Sequence, residues 1–390
     1  MTVSAISRFN AHLALGGFLF ALALAPIPAT AIETTAKSAI IIEVTTGETL
    51  LEKDADTPMA PASMSKLMTL YMLFDRLKSG ALSLDDKFRV SENAWRRGGA
   101  KSGSSTMFLA PNKKVSVEDL IRGIIVQSGN DACIVVAEAL SGSEAAFAAE
   151  MTAKAREIGL TGSHFANSTG WPNPEHRMTP RDLAILAQHL AADFPAYYHY
   201  FSELHFVYNG IRQSNRNPLL YKEMNVDGLK TGHTEESGYG LVASAMRNKR
   251  RLVLVVNGLP SKKARSAEPE RLIEWAYREF ANYALFKAGD TLDEAEIWLG
   301  QSARVPLVIE RDVHMTLPRK DRVKLKAKIV YTGPVPAPVT KGQRIATLVV
   351  ETPSKGKSEY PLVAGADVER LGLVGRLLAA LQTILWGESG

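Results

Sequence analysis

Apolar positions change their period along the first two thirds of the chain. Ile40-Ile41-Ile42-Glu43-Val44, then Thr46-Gly47-Glu48, then Thr49-Leu50-Leu51 read as strand, turn and strand. From Leu67 the spacing lengthens: Leu67, Leu70, Tyr71, Leu73, Phe74 and Leu77 fall at helical intervals, and Gly80 is placed to stop the run. Residues 90–105, with Gly98, Gly99 and Gly103, read as loop. Ser116-Val117-Glu118-Asp119 has the form of a helix start, a capping hydroxyl followed by acids in the first turn. Helices are expected over 132–140 and 144–158, a loop over 161–179, and a helix over 180–190 with Pro180 in its first turn. β character begins at Phe206 and continues through 240–244 and 251–256, which read as adjacent strands; 268–285 reads as a final helix. Strands at both ends of a helical block predict an α+β fold.

The pattern shifts near Gly289. Residues 297–365 show little helical period, and Val323-Lys324-Leu325-Lys326-Ala327-Lys328-Ile329 alternates lysine with apolar residues. With 345–350 and the Pro-rich loop 333–338, this predicts a small all-β domain with one wet face. Residues 368–386 turn helical again. Leu371, Val374, Leu377, Leu378, Leu381, Ile384 and Leu385 share a broad face, opposite Gly372, Gly375, Arg376, Ala379 and Thr383. Short and interrupted by Arg376, such a helix lies on a membrane better than it spans one.

The beginning of the chain alters the picture of location. Arg8, the apolar stretch 12–24 and Pro28-Ala29-Thr30-Ala31 have the order of a secretory signal peptide. The expected organisation is a signal peptide over 1–31, a catalytic domain over 32–286, a β domain over 287–366 and the amphipathic helix over 367–390. Net charge is +5, without a long basic run interleaved with aromatics, so no nucleic-acid partner is expected. Cys133 is the single cysteine, which excludes an internal disulfide; inside an apolar run it reads as a small buried hydrophobe.

Candidate chemistry starts at Ser63 and Lys66. At i and i+3 on a helix the two side chains share a face, and a lysine of lowered pKa can take a serine proton. Ser354-Lys355-Gly356-Lys357 has the same spacing, but in a turn-like stretch that reads as surface. Ser128-Gly129-Asn130 offers a hydroxyl for proton shuttling and an amide for Lys66 or a substrate carbonyl. Lys230-Thr231-Gly232 lies on an expected strand, where Gly232 lets a substrate backbone approach and Lys230 adds charge that lowers the pKa of Lys66. Taken singly, Ser128 could be a helix cap and Lys230 a surface charge. Together they supply nucleophile, base, proton relay and electrostatics for acyl transfer. No cofactor or metal is expected: His164, His176 and His189 are scattered, with no H-E-x-x-H.

The three motifs in this order are those of penicillin-binding proteins and β-lactamases. With Ile121-Arg122-Gly123, Asp131-Ala132-Cys133, Asn215-Arg216-Asn217 and Val226 to Thr234, the chain resembles the low-molecular-mass penicillin-binding proteins that are D-alanyl-D-alanine carboxypeptidases. The resemblance implies a penicillin-binding, β-lactamase-like α+β domain with a C-terminal β domain and a terminal helix. It implies that Ser63 attacks the carbonyl between the terminal D-alanines of a peptidoglycan stem peptide, and that penicillins acylate the same serine. The backbone N–H groups of Ser63 and His233 would form the oxyanion hole, with Thr231 and Arg265 reading the substrate carboxylate. The expected enzyme is exported to the periplasm and attached peripherally to the outer face of the inner membrane through its last helix. The alternatives are a D,D-endopeptidase or a β-lactamase on the same fold, or a non-catalytic envelope scaffold. The β-lactamase reading lacks a Glu-x-x-Leu-Asn segment, since Glu175 is the only acid in the loop beyond Ser128, and Trp171 to His176 departs from the family.

Overall fold

The computed structural model describes residues 32–378. The expected signal peptide and the 379–390 part of the expected terminal helix lie outside the described residues. Strands β1 (Ser38–Glu43) and β2 (Glu48–Lys53) open the fold. A 3-10 turn, Ala62–Ser65, runs straight into helix α1 (Lys66–Lys78). Strand β3 (Lys87–Arg89), helix α2 (Glu92–Gly98) and strand β4 (Lys114–Ser116) precede α3 (Val117–Ile125), α4 (Asn130–Ser141), α5 (Glu144–Glu157) and α6 (Pro180–Asp193). Strands β5 (His205–Tyr208) and β6 (Ile211–Ser214) form a small hairpin. Long strands β7 (Val226–Thr234), β8 (Gly238–Arg247) and β9 (Arg250–Leu259) then lead to α7 (Lys262–Glu279).

The main sheet is antiparallel, in the order β2-β1-β9-β8-β7. Ile40 on β1 stands opposite Val255 on β9, so the two ends of this portion meet in the middle of the sheet and β7 is left at its edge. Helix α1 is buried all round, from Lys66 through Phe74, with α3, α4, α5 and α6 packed about it. The sequence marked one apolar face; Met68, Thr69 and Met72 fill the others, as a central helix requires.

Three readings of the sequence are corrected. Helix α2 occupies much of the expected 90–105 loop, capped by Ser91, whose side chain accepts from the Ala94 N–H. Gly98 serves close packing rather than freedom: a Cβ there would fall 2.2 Å from the Asp131 nitrogen. Helix α7 starts at Lys262, capped by Ser261, and ends at Glu279, because 280–286 forms strand β10 (Phe280–Phe286). A short apolar run reads equally as helix or strand, and here a distant partner decides. The other strands of this portion are β11 (Thr291–Trp298), β12 (Arg304–Ile309), β13 (Val313–Pro318), β14 (Lys326–Val330), β15 (Val335–Pro336), β16 (Arg344–Thr352) and β17 (Gly356–Ala364). The partner of β10 is β13, and the rest form a sheet in the order β14-β16-β17-β12-β11-β15 over a second apolar core that includes Leu307, Leu348 and Leu362. Of the alternating lysine segment, Val323 and Lys324 sit in a 3-10 turn, Leu325 follows it, and only Lys326 to Ile329 join β14.

The terminal helix also begins later than the pattern predicted. Val368 is buried and exchanges backbone hydrogen bonds with Val339, and the Leu371 N–H donates to Leu299 O at 2.9 Å. Helix covers 373–378, with Leu373, Val374, Leu377 and Leu378 exposed. The backbone of 368–371 is already committed to β-type pairing with the β portion.

Candidate active site

Ser63 sits at the second position of the 3-10 turn, immediately after Ala62 at φ +48°. A non-glycine residue in that region turns the chain sharply and is held there by its surroundings. The hydroxyl stays half-exposed while Lys66, one turn on, is wholly buried. Lys66 Nζ lies 2.9 Å from Ser63 Oγ and donates to the backbone carbonyl of Thr169. Burial is the main reason that the Lys66 pKa drops from 10.5 to about 8; the Arg216 charge lowers it further, while the acids Glu144 and Asp131 oppose. At neutral pH about a tenth of such an amine is uncharged and able to accept a proton.

The turn between α3 and α4 brings in the second group. Ser128 adopts φ +65°, is buried, and its Oγ has no hydrogen-bond partner among the described residues. It is not a cap, because Gly129 holds that position and no side chain caps α4. Asn130 opens α4 with its N–H on Ser105 O at 2.7 Å and its Oδ1 buried without a partner. Cys133, one turn along the same face, lies within electrostatic range of both Lys66 and Lys230, so this face of α4 borders the two lysines. Burial pushes the Cys133 thiol up to about 12, as fits an inert hydrophobe. Asp131 pins the loop before it, accepting from Thr106 Oγ1 at 2.6 Å and from the N–H groups of Met107 and Leu109 at 2.9 and 3.1 Å.

The third group lies on β7. Lys230 is buried, its Nζ 3.3 Å from Thr231 O. Burial first, then the charges of Lys66 and Arg216, hold its pKa well below the ordinary lysine value. Burial, with Arg216, depresses Lys66, and Lys230 is itself depressed. Gly232 also serves packing: a Cβ there would stand 2.9 Å from Pro61 O and 3.1 Å from Met64 Cγ. The glycine lets β7 lie against the turn that carries Ser63.

Alternation along β7 sends Thr231 and His233 to the other side from Lys230 and Gly232. His233 stands opposite Tyr239 on β8, ring centroids 3.9 Å apart, and the Arg265 guanidinium lies over Tyr239 at 5.3 Å. Arg265 projects from the first turns of α7, donates to Gly232 O at 3.3 Å, and has no carboxylate partner among the described residues. Ser354-Lys355 sits in the β16–β17 turn, with Lys357 on β17 and Lys355 paired to Glu48.

Sequence reasoning passed over three contributors. Arg216, within the Asn215-Arg216-Asn217 motif, has its Nη1 2.5 Å from Ser105 Oγ, a placement its neighbours in the chain do not signal. The Thr169 carbonyl is a backbone group and leaves no mark in the sequence. Gly170, at φ +79°, seats that segment on the Ser63 turn, since a Cβ would lie 2.0 Å from Ala62 O. The Ser-Thr-Gly string read only as loop.

Comparison with known proteins identifies the family. The D-alanyl-D-alanine carboxypeptidase family model matches residues 25–261, and that of the penicillin-binding protein 5 C-terminal domain matches 280–370. D-alanyl-D-alanine carboxypeptidase DacA of Escherichia coli K12 is 37% identical over 346 residues, 88% of this chain and 86% of that protein. Penicillin-binding protein 5 of Haemophilus influenzae superposes with a TM-score of 0.75 at 35% identity, covering 87% of this chain and 99% of the other. Penicillin-binding protein D2 of Listeria monocytogenes, solved with ampicillin bound, gives 0.54 at 28% identity over 62% of this chain and 97% of its own. By the match over most of its length, the chain belongs to the D-alanyl-D-alanine carboxypeptidase family of penicillin-binding proteins.

Proposed function

We infer that Ser63 is the nucleophile and Lys66 its general base; the 2.9 Å approach of a fully buried lysine of lowered pKa to a half-exposed serine carries the reading. The protein is a serine D-Ala-D-Ala carboxypeptidase, as its family and relatives are named. Neutral Lys66 takes the hydroxyl proton as Oγ attacks the carbonyl between the two terminal D-alanines of a stem peptide. Ser128, its hydroxyl unpartnered, passes a proton to the departing amine, and Asn130 offers its free carbonyl oxygen beside the lysines. D-alanine leaves and water hydrolyses the ester on Ser63.

The open edge of β7 offers backbone groups to an extended peptide, with the N–H groups of Ser63 and His233 as oxyanion donors. Thr231 and Arg265 lie together on one side of that edge, where a C-terminal carboxylate would arrive. An arginine there with no carboxylate partner among the described residues favours a carboxypeptidase over an endopeptidase. Glu175 is exposed, which disfavours the β-lactamase reading. β-Lactams acylate the same serine; the Listeria relative holds ampicillin.

The peptidase portion ends at Glu279 and the β portion begins at Phe280, where pairing passes to β13. The protein is exported and rests on the outer face of the inner membrane, a reading supported by the apolar residues exposed on 373–378. Among the described residues no single helix is long and apolar enough to cross a membrane.

The test combines D-alanine release from a D-Ala-D-Ala-terminated pentapeptide with labelling by a fluorescent penicillin. The wild type should do both and Ser63→Ala neither. Label retained on another serine of the variant, mapped by mass spectrometry, would overturn the assignment.

A further inference from the structure

The amine of Lys66 has two neighbours, and only one of them reacts. A neutral amine carries two N–H bonds and a single lone pair, and proton transfer requires the lone pair to face the Ser63 hydroxyl. A carbonyl can only accept, so the Thr169 oxygen fixes an N–H away from Ser63 and leaves the lone pair for the serine. What holds that carbonyl in place therefore decides whether Lys66 receives a proton from Ser63 or donates one to it.

The holding group is a side chain. Asn167 Oδ1 accepts from the Thr169 N–H at 3.1 Å, Thr169 Oγ1 at 3.1 Å, the Gly170 N–H at 2.8 Å and the Trp171 N–H at 3.2 Å. Its Nδ2 donates back to Trp171 O at 3.1 Å, which closes a clasp over three residues. Other grips stop one residue short. Thr69 Oγ1 holds Ser168 O at 2.7 Å, and Glu144 Oε1 accepts from the Ser168 N–H and hydroxyl at 3.2 and 2.8 Å. Asn167 itself is buried.

We propose that Asn167 is a positioning residue for acylation, which through its clasp on residues 169–171 aims the Thr169 carbonyl at Lys66 and so turns the lysine lone pair toward Ser63. The inference rests on the roles of Ser63 and Lys66 given above. Asn167 touches neither group and acts through the loop. Gly170 transmits the restraint, because that loop lies against Ala62 with no room for a Cβ.

The experiment is pre-steady-state acylation by a fluorescent penicillin, followed against pH in the full-length wild type, Asn167→Leu and Asn167→Asp. Leucine keeps the branched skeleton and removes both the acceptor and the donor. Its high-pH plateau rate should fall between about tenfold and a hundredfold, as expected for a misplaced reacting group. Non-covalent affinity for the penicillin should stay within about twofold. The pH at half-plateau should move down, because the carbonyl that favours charged Lys66 is no longer held to it. Aspartate keeps the acceptors, so its plateau should remain within about threefold, while its added charge moves the half-plateau pH up.

Leucine at the wild-type plateau, or a loss of rate with no movement of the pH limb in either variant, overturns the inference. Should Asn167→Leu fail to fold, aspartate alone decides: a retained plateau with a raised limb supports the clasp, and any other profile refutes it. Acylation of the wild type at Ser63, measured alongside, tests the catalytic reading separately. A null result at Asn167 then counts against the clasp alone.

Discussion

Lys66→Met exchanges the buried amine for an uncharged side chain of similar length. In the folded protein the amine has a pKa of about 8, against 10.5 ordinarily. Between those values the unfolded chain binds a proton that the folded one does not, so the wild type gains stability as pH rises through this window. Below about pH 8 both states are protonated and the full cost of burying the charge stands, about 3 kcal/mol at 1.36 kcal/mol per pKa unit. The mutant has no proton to lose. It also suffers a fixed loss, because Ser63 Oγ and Thr169 O lose a partner, on the order of 1–3 kcal/mol for each buried group.

That loss does not vary with pH and cancels in a double difference. Urea unfolding of both proteins near pH 7 and near pH 10.5 should give a stability gap, mutant minus wild type, about 3 kcal/mol more favourable to the mutant at the lower pH. A gap that does not change would show that Lys66 titrates normally and that burial does not tune it. A gap of opposite sign would mean that the ammonium is stabilised by a buried acid. The same pKa predicts that wild-type acylation rises with pH to a limb near 8, with no acylation in the mutant.

Arg265→Ala removes a charge-assisted contact of about 1.5–3 kcal/mol, so D-alanine release should slow about ten- to a hundredfold while a C-terminally amidated substrate is cleaved nearly as before; equal losses on both would assign Arg265 a structural part. Gly232→Ala should press on Pro61 and Met64, lowering stability by about 1–3 kcal/mol and cutting penicillin acylation, and a fully active variant would show that β7 and the Ser63 turn can move apart cheaply. Truncation after Leu371 should release the protein from membranes with its activity on small peptides intact, and a truncated protein that still sediments with membranes refutes the anchor. Cutting after Asp367 should in addition lower the melting temperature of the β portion, because it removes the buried Val368 and its pairing with Val339.

The sequence alone determined the local parts of this protein. Ser63 and Lys66 are three residues apart, and that spacing brings their side chains together once the turn and helix form. The cap at Ser116, the strands about Ile40 and Val255, and the apolar character of Cys133 are equally local, set by spacing and by the chemistry of a few neighbours. The tertiary structure decided whatever depends on residues remote in the chain. It placed the Thr169 carbonyl on Lys66 across 103 residues, where no side chain announces the contact. It set the pKa of Lys66 by burial, and burial belongs to the packing of helices that no single segment encodes. It gave Gly98 and Gly232 their purpose, since the atoms that exclude a Cβ at each come from other elements. It made 280–286 a strand because β13, some thirty residues on, supplies the hydrogen bonds that an ambiguous apolar run can take as either helix or strand.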